Sequence, residues 1–245
     1  MEMTSELRTI GVVGDIHAQY RRLARAIELF ESAGVDRILA VGDICDGPGD
    51  LDACCALLQS RGALAVRGNH ERWLFEGILR DLPDAHEPDD LGEAARSFLR
   101  DLPVTRDLVT PAGRLLLCHG LGGDDMNGVY PGDFGYGLEV NDVLQGLIRE
   151  GRYRFVVNGH THIRMVRSFG GLTIINAGSL TNNRYATISG GRRGDRPGAP
   201  GRSFDPGHPC ALVVDFVDLE VRPYCYAADD RLLAAEPVSL PPLPT

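Results

Sequence analysis

Five short polar clusters stand at the exits of five apolar, strand-like runs: GDIH at residues 14–17, GDICD at 42–46, GNHE at 68–71, CHG at 118–120 and NGHTH at 158–162. The runs before them, TIGVV, RILAV, ALAV, LLL and FVV, have the length and β-branched content of buried strands. A chain built this way brings loops from distant parts of its sequence to one end of a sheet. In open α/β sheets that end is where ligands bind.

The intervening segments support the same architecture. Helical patterns over about 18–32, 51–60, after Asn69 and over 93–100 alternate with strands in the first half. The second half is richer in strands, with MVRSF, LTIINA and ALVVDF following the last cluster. Runs of apolar residues suit strands buried on both faces. We therefore expect one α/β domain over residues 1–245, made of two packed mixed β-sheets flanked by helices, an αββα four-layer sandwich. Residues 122–137, rich in Gly and acidic side chains, and residues 189–209, rich in Gly, Pro and Arg, read as long loops near or over the site.

Composition narrows the function. The 245 residues carry a net charge of -9, which argues against broad phosphate neutralisation of duplex nucleic acid and favours a small phosphorylated substrate. The Arg-rich stretch, with Arg192, Arg193, Arg196 and Arg202, has only Phe204 as an interleaved aromatic, and it reads as a solvated segment. No apolar run reaches membrane-span length and the N-terminal residues lack the pattern of a secretion signal, so the expectation is a soluble cytoplasmic protein. The six cysteines form no CxxC pair. Cys54 and Cys55 fit a helix interior, whereas Cys45 and Cys118 sit within two residues of clustered polar side chains and are candidates for redox sensitivity. The sequence leaves the oligomeric state open.

The clusters hold the chemistry. A lone histidine at a strand end is ordinarily structural, and a lone Gly-Asp ordinarily a turn. Here five of the seven histidines fall in the clusters beside Asp15, Asp43 and Asn69. Mixed oxygen and imidazole donors suit Mn, Fe, Zn or Ni better than Ca or Mg. Asp15 and His17, like His160 and His162, are two apart, a spacing that puts both side chains on one side if the backbone is extended. Asp43 has two oxygens with which to bridge two ions. Gly14, Gly42, Gly68 and Gly159 suit a chain that turns sharply there.

In this order, GDIH, GDICD, GNHE, CHG and GHTH resemble the signature blocks of the calcineurin-like metallophosphoesterases, over about residues 10–180, and the last block together with INAGSL is similar to their small bacterial and archaeal phosphodiesterase branch. The resemblance implies one divalent ion on Asp15, His17, Asp43 and His162 and a second on Asp43, Asn69, His119 and His160, with Mn or Fe favoured. It implies hydrolysis of a phosphoester or phosphoanhydride by a metal-bridging hydroxide, with His70 as general acid or transition-state stabiliser. Asp46 or Glu71 is expected to orient His70, Asn69 to touch the phosphoryl group, and Arg67 or an arginine of residues 189–209 to supply its countercharge.

Monoester, diester and dinucleotide substrates all stay open. Tyr130, Phe134 and Tyr136 are placed either to stack on a nucleobase or to pack together, and Asp124, Asp125 and Asp133 are expected to face solvent. VRGNHE also resembles the serine/threonine protein phosphatases, but their GDxxDRG is replaced by GDICDGPG, with Gly47 in place of a phosphate-binding arginine. A scaffold that has lost catalysis would have replaced ligands, and here every proposed ligand position is filled.

Overall fold

The computed structural model describes residues 6–181, 202–203 and 208–242. Three parallel strands open the chain, β1 (Thr9–Val13), β2 (Arg37–Ala40) and β3 (Leu64–Ala65), separated by helices α1 (Tyr20–Ala33) and α2 (Leu51–Ser60) and followed by α3 (Asn69–Glu76) and α4 (Glu93–Arg100). The chain then builds a second sheet from β4 (Thr105–Thr110), β5 (Gly113–Cys118), β6 (Phe155–Asn158), β7 (Met165–Phe169), β8 (Leu172–Asn176) and β9 (Arg202–Ser203), with α5 (Tyr136–Glu139) and α6 (Asp142–Glu150) between β5 and β6. It returns to the first sheet through β10 (Cys210–Asp215), β11 (Glu220–Tyr226), β12 (Leu232–Ala234) and β13 (Val238–Ser239). The strand orders are β12-β11-β10-β1-β2-β3, with β13 also on β11, and β4-β5-β6-β8-β7-β9. Both sheets are mixed.

Strand alternation explains the layering. In β1 and β2, Ile10, Val12 and Leu39, with Val41 just past β2, join one buried cluster with Leu115, Leu117, Phe155 and Val157 of the second sheet, so these faces press together. The residues between them, Val13, Ile38 and Ala40, meet α1 and α2 through Leu23, Phe30 and Leu58. In the second sheet the alternate residues Leu116, Cys118, Val156 and Ile174 pack under Leu144 and Leu147 of α6. A period of two thus makes each sheet apolar on both faces, and helices close the outside.

Where α1 lies on β1, the backbone itself is the packing surface. A Cβ on Gly11 would fall 2.4 Å from the Phe30 ring. The helix also starts later than its hydrophobic pattern suggests, at Tyr20, because His17 and Ala18 take left-handed backbone with φ of 46° and 55°. Among the described residues no helix is long and apolar enough to cross a membrane.

The Gly11–Phe30 contact gives a test of the packing. Gly11→Ala should destabilise the fold by about 1–3 kcal/mol through overpacking, and Phe30→Ala by about 3–5 kcal/mol through the cavity it leaves. In the Phe30→Ala background the Gly11→Ala cost should shrink, a coupling that urea unfolding curves of the double-mutant cycle read directly. Strictly additive losses would place the tight contact elsewhere.

Candidate metal centre

Because β1, β2 and β3 run parallel, as do β5, β6 and β8, all five clusters emerge at one end of the two sheets. Backbone hydrogen bonds stitch the emerging loops together: His17 N–H to Asp43 O at 2.8 Å, Ala18 N–H to Ile44 O at 2.8 Å, and Gly159 N–H to His119 O at 2.9 Å. The side-chain hydroxyl of Ser179, past the end of β8, donates to Asp15 O at 2.9 Å.

The ligand loops are not extended, contrary to the simple i, i+2 expectation. Asp15, His17, Asp43, His160 and His162 have φ of 27°, 46°, 48°, 65° and 57°. These residues lie past the last strand residue, where the ladder no longer holds the chain extended, and left-handed backbone curls the side chains inward. Each such residue costs on the order of 1–2 kcal/mol, and strain of this kind gathers at functional sites. The glycines answer mainly to crowding: a Cβ at Gly68 would lie 2.2 Å from Asp43 Oδ1, and one at Gly159 would lie 2.5 Å from Asp15 Oδ2.

The donors fall into two groups. One ligand atom each from Asp15, His17, Asp43 and His162 gathers within 4.8 Å. In the other, His119 Nε2 lies 3.3 Å from Asp43 Oδ2 and 2.9 Å from Asn69 Oδ1, and His160 Nδ1 lies 3.1 Å from the same Asn69 oxygen. Asp43 belongs to both groups, but through one oxygen. Oδ2 lies 3.9 Å from His17 Nε2 and 3.3 Å from His119 Nε2, whereas Oδ1 accepts the backbone N–H of His70 at 3.0 Å.

Electrostatics show what the site lacks. Burial, reinforced by Asp43, pushes the Asp15 carboxyl up to about 8. Burial opposes a charged His119, but the adjoining Asp43 prevails and raises it to about 10. Burial disfavours the ionised Asp43 too, yet His119 and His70 hold its carboxyl well below the usual range. Burial brings His17 down to about 4, so its ring is neutral; its Nδ1 proton goes to Asp46 O at 2.8 Å, leaving a bare Nε2 3.3 Å from His162 Nε2. Burial also lowers His160 and His162. Asp15 Oδ2 and His162 Nδ1 are buried without a hydrogen-bond partner among the described residues. Facing acceptors and a buried carboxyl raised at Asp15 mark a pocket short of positive charge, and the nitrogen and oxygen donors fit divalent transition-metal ions.

A second tier holds the first. Glu71 is fully buried, and its carboxylate accepts the backbone N–H groups of Asp43 (3.0 Å), Ile44 (2.7 Å), Cys45 (3.0 Å) and Gly68 (2.8 Å). Asp46 takes the other assignment: its Oδ2 lies 2.8 Å from His70 Nδ1. Arg80 clamps Asp46 with two bonds of 3.0 and 2.9 Å, and His86 reaches it with its backbone N–H at 2.9 Å. Although burial disfavours its charge, these bonds keep Asp46 ionised, and Asp43 and Asp46 together raise His70. The side chain of His70 keeps 14% of its surface exposed while His17 and His119 keep 1% each, so His70 faces outward. Arg80 and His86 carry no motif and come from the irregular chain after α3. His86, which the sequence leaves in a loop, nonetheless accepts the Asp46 N–H at Nδ1, 3.0 Å away.

Other expectations change. Asp125 is not solvated but pairs bidentately with Arg72 of α3, at 2.7 and 2.9 Å. Asp124 and Asp133 accept nearby backbone N–H groups of their own loop. A Cβ on Gly128 would lie 2.9 Å from Thr161, so this part of the 122–137 stretch packs on the GHTH cluster. Tyr130 is half-buried, while Phe134 and Tyr136 are 60% and 77% exposed. Arg67 is half-buried, its N–H bonds to Pro103 O at 2.8 Å, and its side chain makes no hydrogen bond or ion pair among the described residues. Cys45 and Cys118 are fully buried, and burial raises both thiols, the latter to about 12. Of the 189–209 stretch, Arg192, Arg193, Arg196 and Phe204 lie outside the described residues.

Comparison with known proteins agrees with this geometry. The profile of the calcineurin-like phosphoesterase superfamily domain matches residues 9–190. Over 70 residues the chain is 39% identical to serine/threonine-protein phosphatase 1 of Salmonella typhimurium, which covers 28% of this chain and about a third (32%) of that curated relative. Among solved structures, a metallophosphoesterase from Sphaerobacter thermophilus is similar with a TM-score of 0.58 at 15% identity, over 96% of this chain and 90% of that one. An archaeal phosphodiesterase is similar with a TM-score of 0.52 at 16% identity, over 89% of this chain and 99% of that one. At such identities the structural likeness is one of fold. The family profile covers most of the chain and all five clusters, and the chain belongs to the calcineurin-like phosphoesterase superfamily, whose members are hydrolases acting on phosphoric ester bonds.

Proposed function

We propose that this chain is a dinuclear-metal phosphoesterase that hydrolyses a small phosphoester or phosphoanhydride. The observation that carries the reading is the pair of donor groups meeting at Asp43 Oδ2, with His70 Nε2 3.8 Å from the same oxygen. Asp15, His17, Asp43 and His162 would hold one ion and Asp43, Asn69, His119 and His160 the other, with Mn or Fe favoured. Two such ions lower the pKa of a water between them and neutralise charge on phosphoryl oxygens.

The chain's own residues supply the rest. His70, open to solvent at its edge and held by Asp46 at Nδ1, presents Nε2 toward the centre, where it delivers a proton to the leaving oxygen. Arg80 fixes Asp46, and the Trp73 ring, with its centroid 4.7 Å from that of His70, limits the imidazole's movement. Arg67 supplies a guanidinium not tied up by another side chain, suited to a phosphoryl oxygen. No covalent enzyme intermediate is required.

A phosphoprotein substrate is the second reading, favoured by the identity to the Salmonella protein phosphatase. One feature weighs against it. A Cβ at position 47, where the resembling phosphatases carry arginine, would lie 2.0 Å from the carbonyl oxygen of His17. With this backbone no arginine fits there, and phosphate must find its cation elsewhere.

Elemental analysis of the purified protein, with Mn-supplemented hydrolysis of p-nitrophenyl phosphate, bis-p-nitrophenyl phosphate, a dinucleoside tetraphosphate and a phosphopeptide, tests the reading. We expect about two transition-metal ions per chain and turnover of at least one of the first three. Protein that neither binds added metal nor turns over any of them would leave the scaffold reading in first place. Asp43→Ala should lose both metal and turnover, whereas His70→Ala should keep its metal and lose kcat by about 10²–10⁴-fold. The two supporting carboxylates should separate as well. Asp46→Asn should lower kcat and move the alkaline limb of its pH profile to lower pH, because His70 loses an anion that keeps it protonated. Glu71→Gln turns an amide N–H₂ toward two buried N–H groups, and urea unfolding should show a stability loss on the order of 2–6 kcal/mol. A stable, active Glu71→Gln protein would refute the structural role given to that side chain.

A further inference from the structure

Outside the metal centre, two cysteines stand directly opposite each other. In the antiparallel pair β10–β11, Cys210 is in register with Cys225. Opposed residues of such a pair have Cα atoms about 4.5–5.5 Å apart, within the roughly 4.4–6.8 Å that a disulfide spans. Alternation sends both side chains to one face. Ala211 and Val213 join the helix-side cluster with Tyr226, so Cys210 and Cys225 point to the other side of the sheet. Both thiols are free.

A cation attends them. Arg164 Nη1 lies 2.8 Å from Cys225 Sγ. The guanidinium donates to the sulfur of the less buried of the two cysteines. The two sulfurs also differ in access: Cys225 is half-buried, while Cys210 is fully buried, donates to Ala177 O at 3.1 Å, and is pushed up to about 12 by burial. Cys225 is therefore the thiol that reacts first. No other pair among the six cysteines is matched across strands in register; Cys54 and Cys55 are neighbours on a helix and both fully buried.

We propose that Cys210 and Cys225 form an oxidisable dithiol, a site of modification by hydroperoxides that closes to a cross-strand disulfide. The Cys225 sulfur attacks an oxygen of hydrogen peroxide, an S–O bond forms as O–O breaks, and the departing oxygen leaves as water with the thiol proton. Sulfur is oxidised by two electrons to sulfenic acid and the peroxide is reduced. Cys210 then attacks the Cys225 sulfur, S–S forms as S–O breaks, and a second water leaves with the Cys210 proton. The product ties β10 to β11 and takes up the sulfur that Arg164 Nη1 contacts. Arg164 follows His162 by two residues, and a Cβ on Gly178 would lie 3.3 Å from its Cβ and 3.0 Å from Cys210 Sγ, so the dithiol adjoins the loop that carries a proposed metal ligand.

The test needs no assumption about substrate. The metal-loaded full chain is treated with a small excess of hydrogen peroxide, remaining thiols are alkylated, and the protein is digested without reduction and mapped by mass spectrometry. The expected result is a mass loss of about two hydrogens, a single crosslinked peptide pair joining Cys210 to Cys225, and reversal by dithiothreitol, with the other four cysteines alkylated. Cys225→Ser should abolish the crosslink, and Arg164→Gln should slow its formation several-fold while Arg164→Lys preserves the rate. Both cysteines recovered alkylated, Cys225 over-oxidised without a crosslink, or a crosslink that survives Cys225→Ser would each overturn the proposal.

Discussion

The Glu71 carboxylate is the interaction on which the site's architecture rests. Four backbone N–H groups, three from the loop after β2 and one at the start of α3, point at a single buried side chain. Unpaired, each donor would cost about 1–3 kcal/mol in this environment. By accepting them all, Glu71 fixes where Asp43 leaves the sheet and where Asn69 and His70 begin their helix. The oxygen shared by the two donor groups and the histidine beside it are thereby placed by one residue that touches neither. A buried anion is tolerable here because it meets oriented dipoles, with one end of α3 among them.

Inside that frame the centre is deliberately unbalanced. Asp15 and Asp43 are buried side by side, and the chain supplies neutral imidazoles on one flank and a strongly proton-seeking His119 on the other. Backbone held left-handed at five donor positions adds strain that apolar packing alone would not select. The two-sheet core makes such a centre affordable. Val12, Val41, Leu117 and Val157, just inside the strand exits, form one apolar cluster beneath it, so the loops start from rigid ends.

This hierarchy explains what the sequence reveals and what it hides. The strands before the clusters and the helices 51–60 and 93–100 are legible because buried periodicity is regular there, reinforced at 51–60 by Asp50, whose side chain accepts the Ala53 N–H. β11 escapes because Pro223 interrupts its pattern, and β4 because an edge strand rich in Arg, Asp and Thr does not alternate cleanly. At the site, the seven donors are legible as types of residue at strand exits, whereas their convergence through left-handed backbone is not. Arg80 and His86 are invisible for a different reason. They bind Asp46 across 34 and 40 positions of chain, by a path with no periodic signal.

The distribution of cations then bears on selectivity. Arg80 is committed to Asp46 and Arg72 to Asp125, each by two-pronged pairing. Such pairs leave little charge for a substrate oxygen, because displacing either carboxylate would leave a partly buried ion without a partner. Position 47 admits no side chain at all. On the proposed function, the charge of a phosphoryl group would fall chiefly on whatever the two donor groups hold, and Arg67 is a guanidinium with no side-chain ion pair among the described residues. A site of that kind would recognise the phosphoryl group itself more than its surroundings. On the proposed function, discrimination between substrates would pass to the surrounding loops, of which the 122–137 stretch, anchored by Asp125 on Arg72 and packed at Gly128 on Thr161, borders the GHTH cluster.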